Sequence, residues 1–123
     1  MKYLGLAYFT PEKFAALSPD AVKAIVSRCP AMDEQMRATG KVLVSASLGD
    51  LENWRTLRPR GGKTHVSDGP YTETKEVVGG LFIIEADSPD EALLIASMHP
   101  AAQIGEEGEW AVELIPMDFY LEP

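Results

Sequence analysis

The sequence contains a single cysteine, Cys29, and only short apolar runs. One cysteine excludes an intramolecular disulfide and a zinc site built from cysteine ligands. The longest apolar runs, "GGLFII" and "ALLIA", are far shorter than a membrane span, and the opening "MKYLGLAYFTPEK" lacks the apolar core of a signal peptide. We therefore expect a cytoplasmic protein that contacts no membrane and carries no metal and no cofactor.

Basic residues are scarce as well. With 11 Lys and Arg against 19 Asp and Glu, the net charge is −8, which repels a polyanion and argues against a nucleic-acid partner. The exception is the segment "WRTLRPRGGK", in which basic residues alternate around a turn. Such a pattern is more typical of a solvated hairpin than of an anion-binding site.

What the chain does contain is typical of one globular domain. Its 123 residues are 46% hydrophobic and 24% charged, and no low-complexity tract or long block of like charge interrupts them. A chain of this length can bury a continuous core without disulfides or metals. We expect a single domain over residues 1–123.

Two helices are predicted to begin at Ser-Pro-Asp triplets, the first at Ser18 and the second at Ser88. Serine is a favourable N-cap, proline fits the first helical turn, and aspartate faces the positive end of the helix dipole. In the first helix Pro30 removes a backbone hydrogen bond, which predicts a kink or a break near Ser27 to Cys29. The second helix has a complete capping box and is predicted to run to about Met98.

Four further segments predict strands of one sheet, namely "KYLGLAYF", "VLVSASL", "GLFIIEA" and "EWAVELIPM". Between the second and third of these, a hairpin is predicted to turn at Gly61-Gly62, where glycine permits a positive φ. The order of strands and helices is that of a split βαβ unit, an antiparallel sheet with both helices on one face. The predicted fold class is α+β.

The "GLFIIEA" strand is apolar on both of its sides. Leu81 and Ile83 point one way, whereas Phe82 and Ile84 point the other. One face of the sheet meets the helices. The other face would be exposed in a monomer, which predicts either self-association or a bound apolar ligand.

His99 is the first candidate for chemistry, because it falls on one stripe of the second helix with Ala92, Ile95 and Ala96. Two roles are open to it. It either complements the negative end of that helix, or carries a proton beside the core if a carboxylate lies near it. Asp68 is the candidate carboxylate, and without proximity to His99 it is simply a turn residue.

The segment "DGPYTETKEVVGG" follows the predicted hairpin. Its first three residues bend the chain, because glycine permits unusual dihedrals and proline fixes its own φ. Tyr71 either anchors this loop or donates a phenolic proton, and Glu73 and Lys75 are either a charged network or solvated loop charges. Gly79-Gly80 would let the backbone pass close to a neighbour, so that the segment walls a pocket. Trp54 and Trp110 are interpreted as packing groups.

The stretch "DGPYTETKEVVGGLFIIEADSPDEALLIASMHP" resembles the DGPF branch of the YCII-related domain family. The shared pattern is Asp-Gly-Pro-aromatic, then Glu-Thr-Lys-Glu, Gly-Gly, an apolar strand with an acidic turn, an "EA" helix and a terminal His-Pro. Tyr71 stands where the family has phenylalanine. The opening strand, the helix from Ser18 and the closing strand are also similar, so the resemblance covers essentially the whole chain.

This resemblance implies a ferredoxin-like fold that forms a dimeric α+β barrel with a cleft beside the packed sheets. It also implies acid/base chemistry by a His and Asp pair, in enzymes similar to muconolactone isomerase. The family has a histidine in the first helix, and this chain has none there. Where the family has Asp-Pro after the second helix, this chain has His99-Pro100. Asp68 with His99 is the replacement pair that we expect.

The sequence as a whole therefore predicts a homodimer, or a higher oligomer, that binds a small molecule. The favoured function is a small-molecule acid/base enzyme of isomerase or lyase type with a cleft at the sheet or dimer interface. The residues expected to be catalytic are Asp68 and His99, and those expected to bind ligand are Gly69, Pro70, Tyr71, Glu73 and Lys75. The alternative is a non-catalytic module that binds a ligand or protein, since members of this branch are associated with extracytoplasmic-function sigma factors.

Overall fold

The computed structural model describes residues 1–123, and it contains six strands and five helices. The strands are β1 Lys2–Phe9, β2 Val42–Ser47, β3 Arg55–Arg60, β4 Lys63–Asp68, β5 Val77–Glu85 and β6 Ala111–Pro116. The helices are α1 Pro11–Ala15, α2 Pro19–Val26, α3 Cys29–Arg37, α4 Pro89–Ala96 and α5 Pro100–Gln103. None of these helices combines the length and the apolar character that crossing a membrane requires.

Four of the strands form one antiparallel sheet in the order β2-β5-β1-β6. The strands joined across helices, β1 to β2 and β5 to β6, are not neighbours, because β5 lies between β1 and β2 and β1 lies between β5 and β6. This is the split βαβ topology of a ferredoxin-like α+β fold, which confirms the fold predicted from the order of segments.

The predicted first helix is broken into α2 and α3. Ser18 caps α2 by accepting a hydrogen bond from the N–H of Ala21 at 3.1 Å. The α2 helix ends at Val26 and α3 begins at Cys29, with Pro30 in its first turn, where a missing N–H costs nothing. The predicted break near Ser27 is confirmed. The short helices α1 and α5 were not predicted, because four or five residues are too few to show a helical period.

The core lies between the sheet and the helices α3 and α4. Phe82 and Ile84 of β5 are 0% exposed, and they pack with six further buried side chains from the sheet and helices, Tyr3, Met36, Ala86, Ala92, Ile95 and Ala96. The alternation of buried residues along β5 places Phe82 and Ile84 on the helix side. Both helices therefore cover the same face of the sheet, as predicted.

The opposite face of the sheet has no helix over it. Its cross-strand neighbours include Leu4 beside Ile83 and Leu6 beside Leu81, and this apolar row continues to Val44 on β2, which is 39% exposed. An apolar sheet face of this kind on a small protein is typical of an interaction surface.

The strands β3 and β4 form a separate two-stranded sheet, the predicted hairpin, which turns at Gly61-Gly62. Its two faces differ in chemistry. Leu57 and Val66 are cross-strand partners on one face, and they are 64% and 56% exposed. The opposite face carries a basic set of side chains, Arg58, Arg60, Lys63 and His65.

Gly5 tests how tightly the core is packed, because a β-carbon added there would overlap the ring of Phe82. We predict that Gly5→Ala lowers the free energy of unfolding by about 1–3 kcal/mol through overpacking. The matched control is Gly49→Ala, since a β-carbon at Gly49 meets nothing within 4 Å. Urea unfolding of both variants measures the difference, and equal stabilities would contradict this packing.

Candidate functional site

A cavity of about 580 Å³ opens where the ends of β1 and β2 meet the start of β5. This volume is typical of a pocket for a small molecule. The cavity lies on the side of the sheet that the helices cover, and α1, α3 and the turn before α5 complete its wall. The residues that matter for its chemistry and shape are Tyr8, Phe9, Phe14, Cys29, Asp33, Ser45, Ser47, Asp50, Trp54, Gly79, Gly80, His99 and Trp110.

One wall of the cavity is aromatic. Phe14 stacks on Trp110 with ring centroids 6.0 Å apart, and it meets Phe9 edge-on at 6.3 Å. Trp110 lies directly on the backbone of Gly105, where a β-carbon would overlap the indole. Trp54 also lines the cavity. Trp110 is therefore a packing group, as predicted, and both tryptophans also form part of the cavity lining.

Another part of the wall is bare backbone at Gly79-Gly80. A β-carbon at Gly80 would lie 3.0 Å from the carbonyl oxygen of Ala46 on the neighbouring strand, and one at Gly79 would lie 2.9 Å from the ring of Phe9. The close approach predicted for this pair is confirmed, because the ring of Phe9 and the backbone of Ala46 fill the space beside the two glycines.

His99 contributes the imidazole of the site. Its ring is partly buried and stacks on the buried ring of Phe82, with centroids 5.1 Å apart and planes 22° apart. Its Nδ1 accepts a hydrogen bond of 3.0 Å from the N–H of Ala101. His99 is thus the N-cap of α5, and it does not complement the end of α4, which stops at Ala96.

These contacts determine the protonation state of His99. Burial lowers the pKa of the imidazole below its ordinary value, and the negative charge of Asp33 opposes this effect. The ring is therefore neutral at pH 7. Because Nδ1 accepts from Ala101, the single proton of the neutral ring is on Nε2, which bonds to no other group of the chain. His99 presents a hydrogen-bond donor, whereas a general base would need a free lone pair there.

Asp33 is the carboxylate close enough to influence His99, and it lines the same cavity. It lies one turn after Cys29 on α3, and α3 is the second part of the broken first helix. Burial raises the pKa of the Cys29 thiol, and the charge of Asp33 raises it further. The thiol is therefore protonated at neutral pH.

Asp68 does not line the cavity that His99 lines. It is the last residue of β4 and pairs in register with Arg55, the first residue of β3. Its carboxylate is 3.2 Å from Nε of Arg55, and its side chain is 92% exposed. The register of the hairpin thus places Asp68 in a cross-strand ion pair with Arg55. Asp68 and His99, which we expected to act together, do not line the same cavity.

The five residues expected to bind ligand also lie outside the cavity lining. They are Gly69, Pro70, Tyr71, Glu73 and Lys75. Tyr71 is 73% exposed, and its ring contacts the guanidinium of Arg58 at 5.8 Å. Of the segment that opens with "DGP", the part that does wall the cavity is its end, Val77–Gly80.

Sequence reasoning missed Asp33, Ser45 and Ser47 as cavity residues. The sequence pattern that could have indicated Asp33 is its position four residues after Cys29, at the edge of the apolar stripe of the helix. The two serines alternate on β2 with a step of two, so that they share a face of that strand. No group of three or more His, Cys, Asp or Glu side chains is arranged to hold a metal ion.

The sequence model of the YCII-related domain family matches residues 1–117. The chain belongs to the YCII-related domain family. This confirms the resemblance drawn from the motifs around Asp68 and His99. A relative of this YCII-related chain in Rhizobium meliloti (strain 1021), described only as uncharacterised, is 33% identical over 93 residues, which cover 76% of this chain and 75% of that protein.

A solved structure with a similar fold is that of 5-chloro-2-hydroxyhydroquinone dehydrochlorinase from Burkholderia phenoliruptrix AC1100, in complex with 2,5-dihydroxybenzoquinone. The two chains are 19% identical, the match covers 96% of the YCII-related chain and 94% of the Burkholderia chain, and the TM-score is 0.50. This likeness supports the α+β fold assignment.

The neutral state of His99 predicts how stability depends on pH. Its pKa lies below the ordinary value of about 6.5, so between the two values the unfolded chain binds more protons than the folded one. The free energy of unfolding should therefore fall as the pH is lowered from about 7.5 to 5.5. His99→Asn, which keeps a capping oxygen but does not titrate, should reduce this dependence.

The matched control for that experiment is His65→Asn, which removes the exposed histidine of the hairpin. Urea unfolding across the pH range, at one protein concentration, measures all three proteins. If His65→Asn flattens the profile as much as His99→Asn does, then burial of His99 is not the cause.

Proposed function

We propose that this YCII-related protein is a small-molecule acid/base enzyme whose reaction takes place in the cavity beside His99. The observation that carries the proposal is a neutral, partly buried imidazole with an unused Nε2–H, placed near the Asp33 carboxylate in one pocket. A hydrogen-bond donor and a proton acceptor that face one cavity are the two groups that proton abstraction next to a carbonyl requires.

The roles of the two residues follow from their chemistry. The Asp33 carboxylate takes a proton from a ring carbon next to a carbonyl, and the electron pair of the broken C–H bond moves toward the carbonyl oxygen. The Nε2–H of His99 donates a hydrogen bond to that oxygen as its negative charge develops. Return of the proton to another carbon gives an isomerase, and loss of a leaving group from the neighbouring carbon gives a lyase.

This proposal keeps the predicted reaction class, replaces Asp68 by Asp33, and moves the proton transfer from His99 to the Asp33 carboxylate. Asp33 takes the place that Asp68 had in the expected pair, because Asp33 lines the cavity and Asp68 does not. The Burkholderia neighbour is named a dehydrochlorinase, an enzyme that removes hydrogen chloride, so a similar fold accommodates an elimination. The neighbour therefore supports the reaction class, whereas the substrate class is argued from the cavity of this chain.

The proposal predicts enzyme-dependent exchange of C–H protons for deuterium in ring ketones and unsaturated lactones of roughly 6–10 heavy atoms, a size that a pocket of this class accepts. Exchange in D₂O is followed by NMR. His99→Ala should lower the exchange rate by about 10²–10³-fold, because it removes the donor to the developing oxyanion. Asp33→Asn should lower it by about 10²–10⁴-fold, because it removes the base.

The control for both variants is Asp68→Asn, which removes an exposed carboxylate outside the cavity and should leave the rate unchanged. A rate lost in Asp68→Asn and retained in Asp33→Asn would contradict the assignment of Asp33 as the base. If a compound binds equally well to wild type and His99→Ala and no compound of the panel exchanges, the protein is a binding module instead.

We further propose that the apolar face of the sheet is covered by a second copy of the chain. This face carries Leu4, Leu6, Leu81 and Ile83 side by side, and no helix of the same chain covers it. Burial of such a surface is the usual driving force for a symmetric dimer.

The dimer proposal is tested by changing Ile83, which lies near the middle of that face. Ile83→Glu should raise the dissociation constant at least about tenfold, since it replaces an apolar contact by a buried charge. Leu94→Glu is the control, because Leu94 is 64% exposed on α4. Sedimentation velocity over a dilution series measures both, and a wild-type protein that is monomeric throughout would contradict the proposal.

A further inference from the structure

We propose that the cavity selects an uncharged, flat ring compound that bears hydroxyl or carbonyl groups, and that it rejects carboxylates. This inference rests on the proposed function, because it names the substrate class of the same pocket. Asp33 and Asp50 are the residues of the cavity lining that carry a formal charge at neutral pH, and both are negative. No lysine or arginine lines the cavity, so no side chain there compensates a ligand anion.

The basic residues close in sequence to the cavity have other partners. Arg55 follows Trp54 directly, and it pairs with Asp68 at 3.2 Å and donates to the carbonyl oxygens of Glu52 and Trp54. Lys13 precedes Phe14, and its Nζ is 2.8 Å from a carboxylate oxygen of Glu109. Neither cation is free to receive a carboxylate from a ligand.

The lining of the cavity is rich in aromatic side chains, namely Phe9, Phe14, Trp54 and Trp110. A flat ring compound packs against the faces and edges of such side chains more fully than a branched aliphatic compound does. These walls contribute apolar contact and no charge.

The polar groups of the cavity then specify what the ring carries. His99 offers a donor at Nε2, so it pairs with a carbonyl or hydroxyl oxygen of the ligand. Asp33 offers only acceptors when ionised, so it pairs with a hydroxyl or amide hydrogen. A carboxylate on the ligand would face the negative charge of Asp33 or Asp50 without a cation between them, and this repulsion is unfavourable.

The test compares two ligands of nearly equal shape, 4-hydroxybenzamide and 4-hydroxybenzoate, of which only the second is an anion at pH 7. Each is titrated into the full ¹⁵N-labelled chain at low salt, and the amide signals of Gly79, Gly80 and Ala101 report binding in the cavity. We expect the benzamide to bind at least about tenfold more tightly. The ratio should shrink as salt is added, since salt screens the repulsion.

Variants assign the selectivity to the cavity carboxylates. Asp33→Asn and Asp50→Asn should each narrow the ratio of the two dissociation constants by about threefold or more, chiefly by improving binding of the benzoate. Asp68→Asn removes the same charge from the exposed hairpin and should leave the ratio unchanged. A ratio that narrows equally in all three variants would reduce the effect to the net charge of the chain and overturn the inference.

The two proposals fail in different ways. If the benzoate binds as tightly as the benzamide, or more tightly, the substrate class is wrong and the proposed reaction stands. If the benzamide is preferred as expected and no ring ketone or lactone exchanges its protons, the cavity is selective and the proposed reaction is wrong. If neither ligand moves the signals of Gly79, Gly80 and Ala101, both proposals are overturned.

Discussion

The packing of Phe82 joins the core of this protein to its cavity. The ring is fully buried, its tip fills the space at Gly5 that a side chain would need, and it stacks on the imidazole of His99 with ring centroids 5.1 Å apart. Close packing of this kind leaves each ring only one position. The orientation of His99 is therefore set by the centre of the sheet, so stability of the core and placement of the polar group in the cavity depend on the same contacts.

Two independent effects give His99 the same chemical character. Burial disfavours the charged ring, and the capping hydrogen bond from Ala101 occupies the lone pair of Nδ1. Either effect alone would leave more than one protonation state or tautomer accessible, whereas together they favour a neutral ring with its proton on Nε2. This combination explains why the carboxylate of Asp33 is assigned the proton transfer and why His99 is assigned stabilisation of the oxygen. It also makes the backbone of α5 part of the site.

The sequence predicted the elements that depend on local chemistry, including the serine caps, the break before Pro30, the hairpin turn and the alternation along β5. The location of the site depended on packing between distant segments. Asp68 precedes a turn in both sequence and structure, yet the register of the hairpin pairs it with Arg55. Asp33 lines the same cavity as His99 because α3 packs beside α5, which no local pattern encodes. The DGPF branch, the cytoplasmic location and the sigma-factor association stay predictions, since they concern ancestry and cellular context.

The two ends of the β3–β4 hairpin lie close together where the hairpin joins the rest of the protein. The N–H of Gly69 donates to the carbonyl oxygen of Trp54 at 2.8 Å, and the hydroxyl of Thr56 donates to the carbonyl oxygen of Gly69 at 2.8 Å, so hydrogen bonds join the two ends of residues 55–68. Neither β3 nor β4 pairs with the four-stranded sheet. An insertion closed in this way can change in length and charge over evolutionary time without disturbing the strands on either side. Relatives can therefore differ widely in this appendage and still share one pocket.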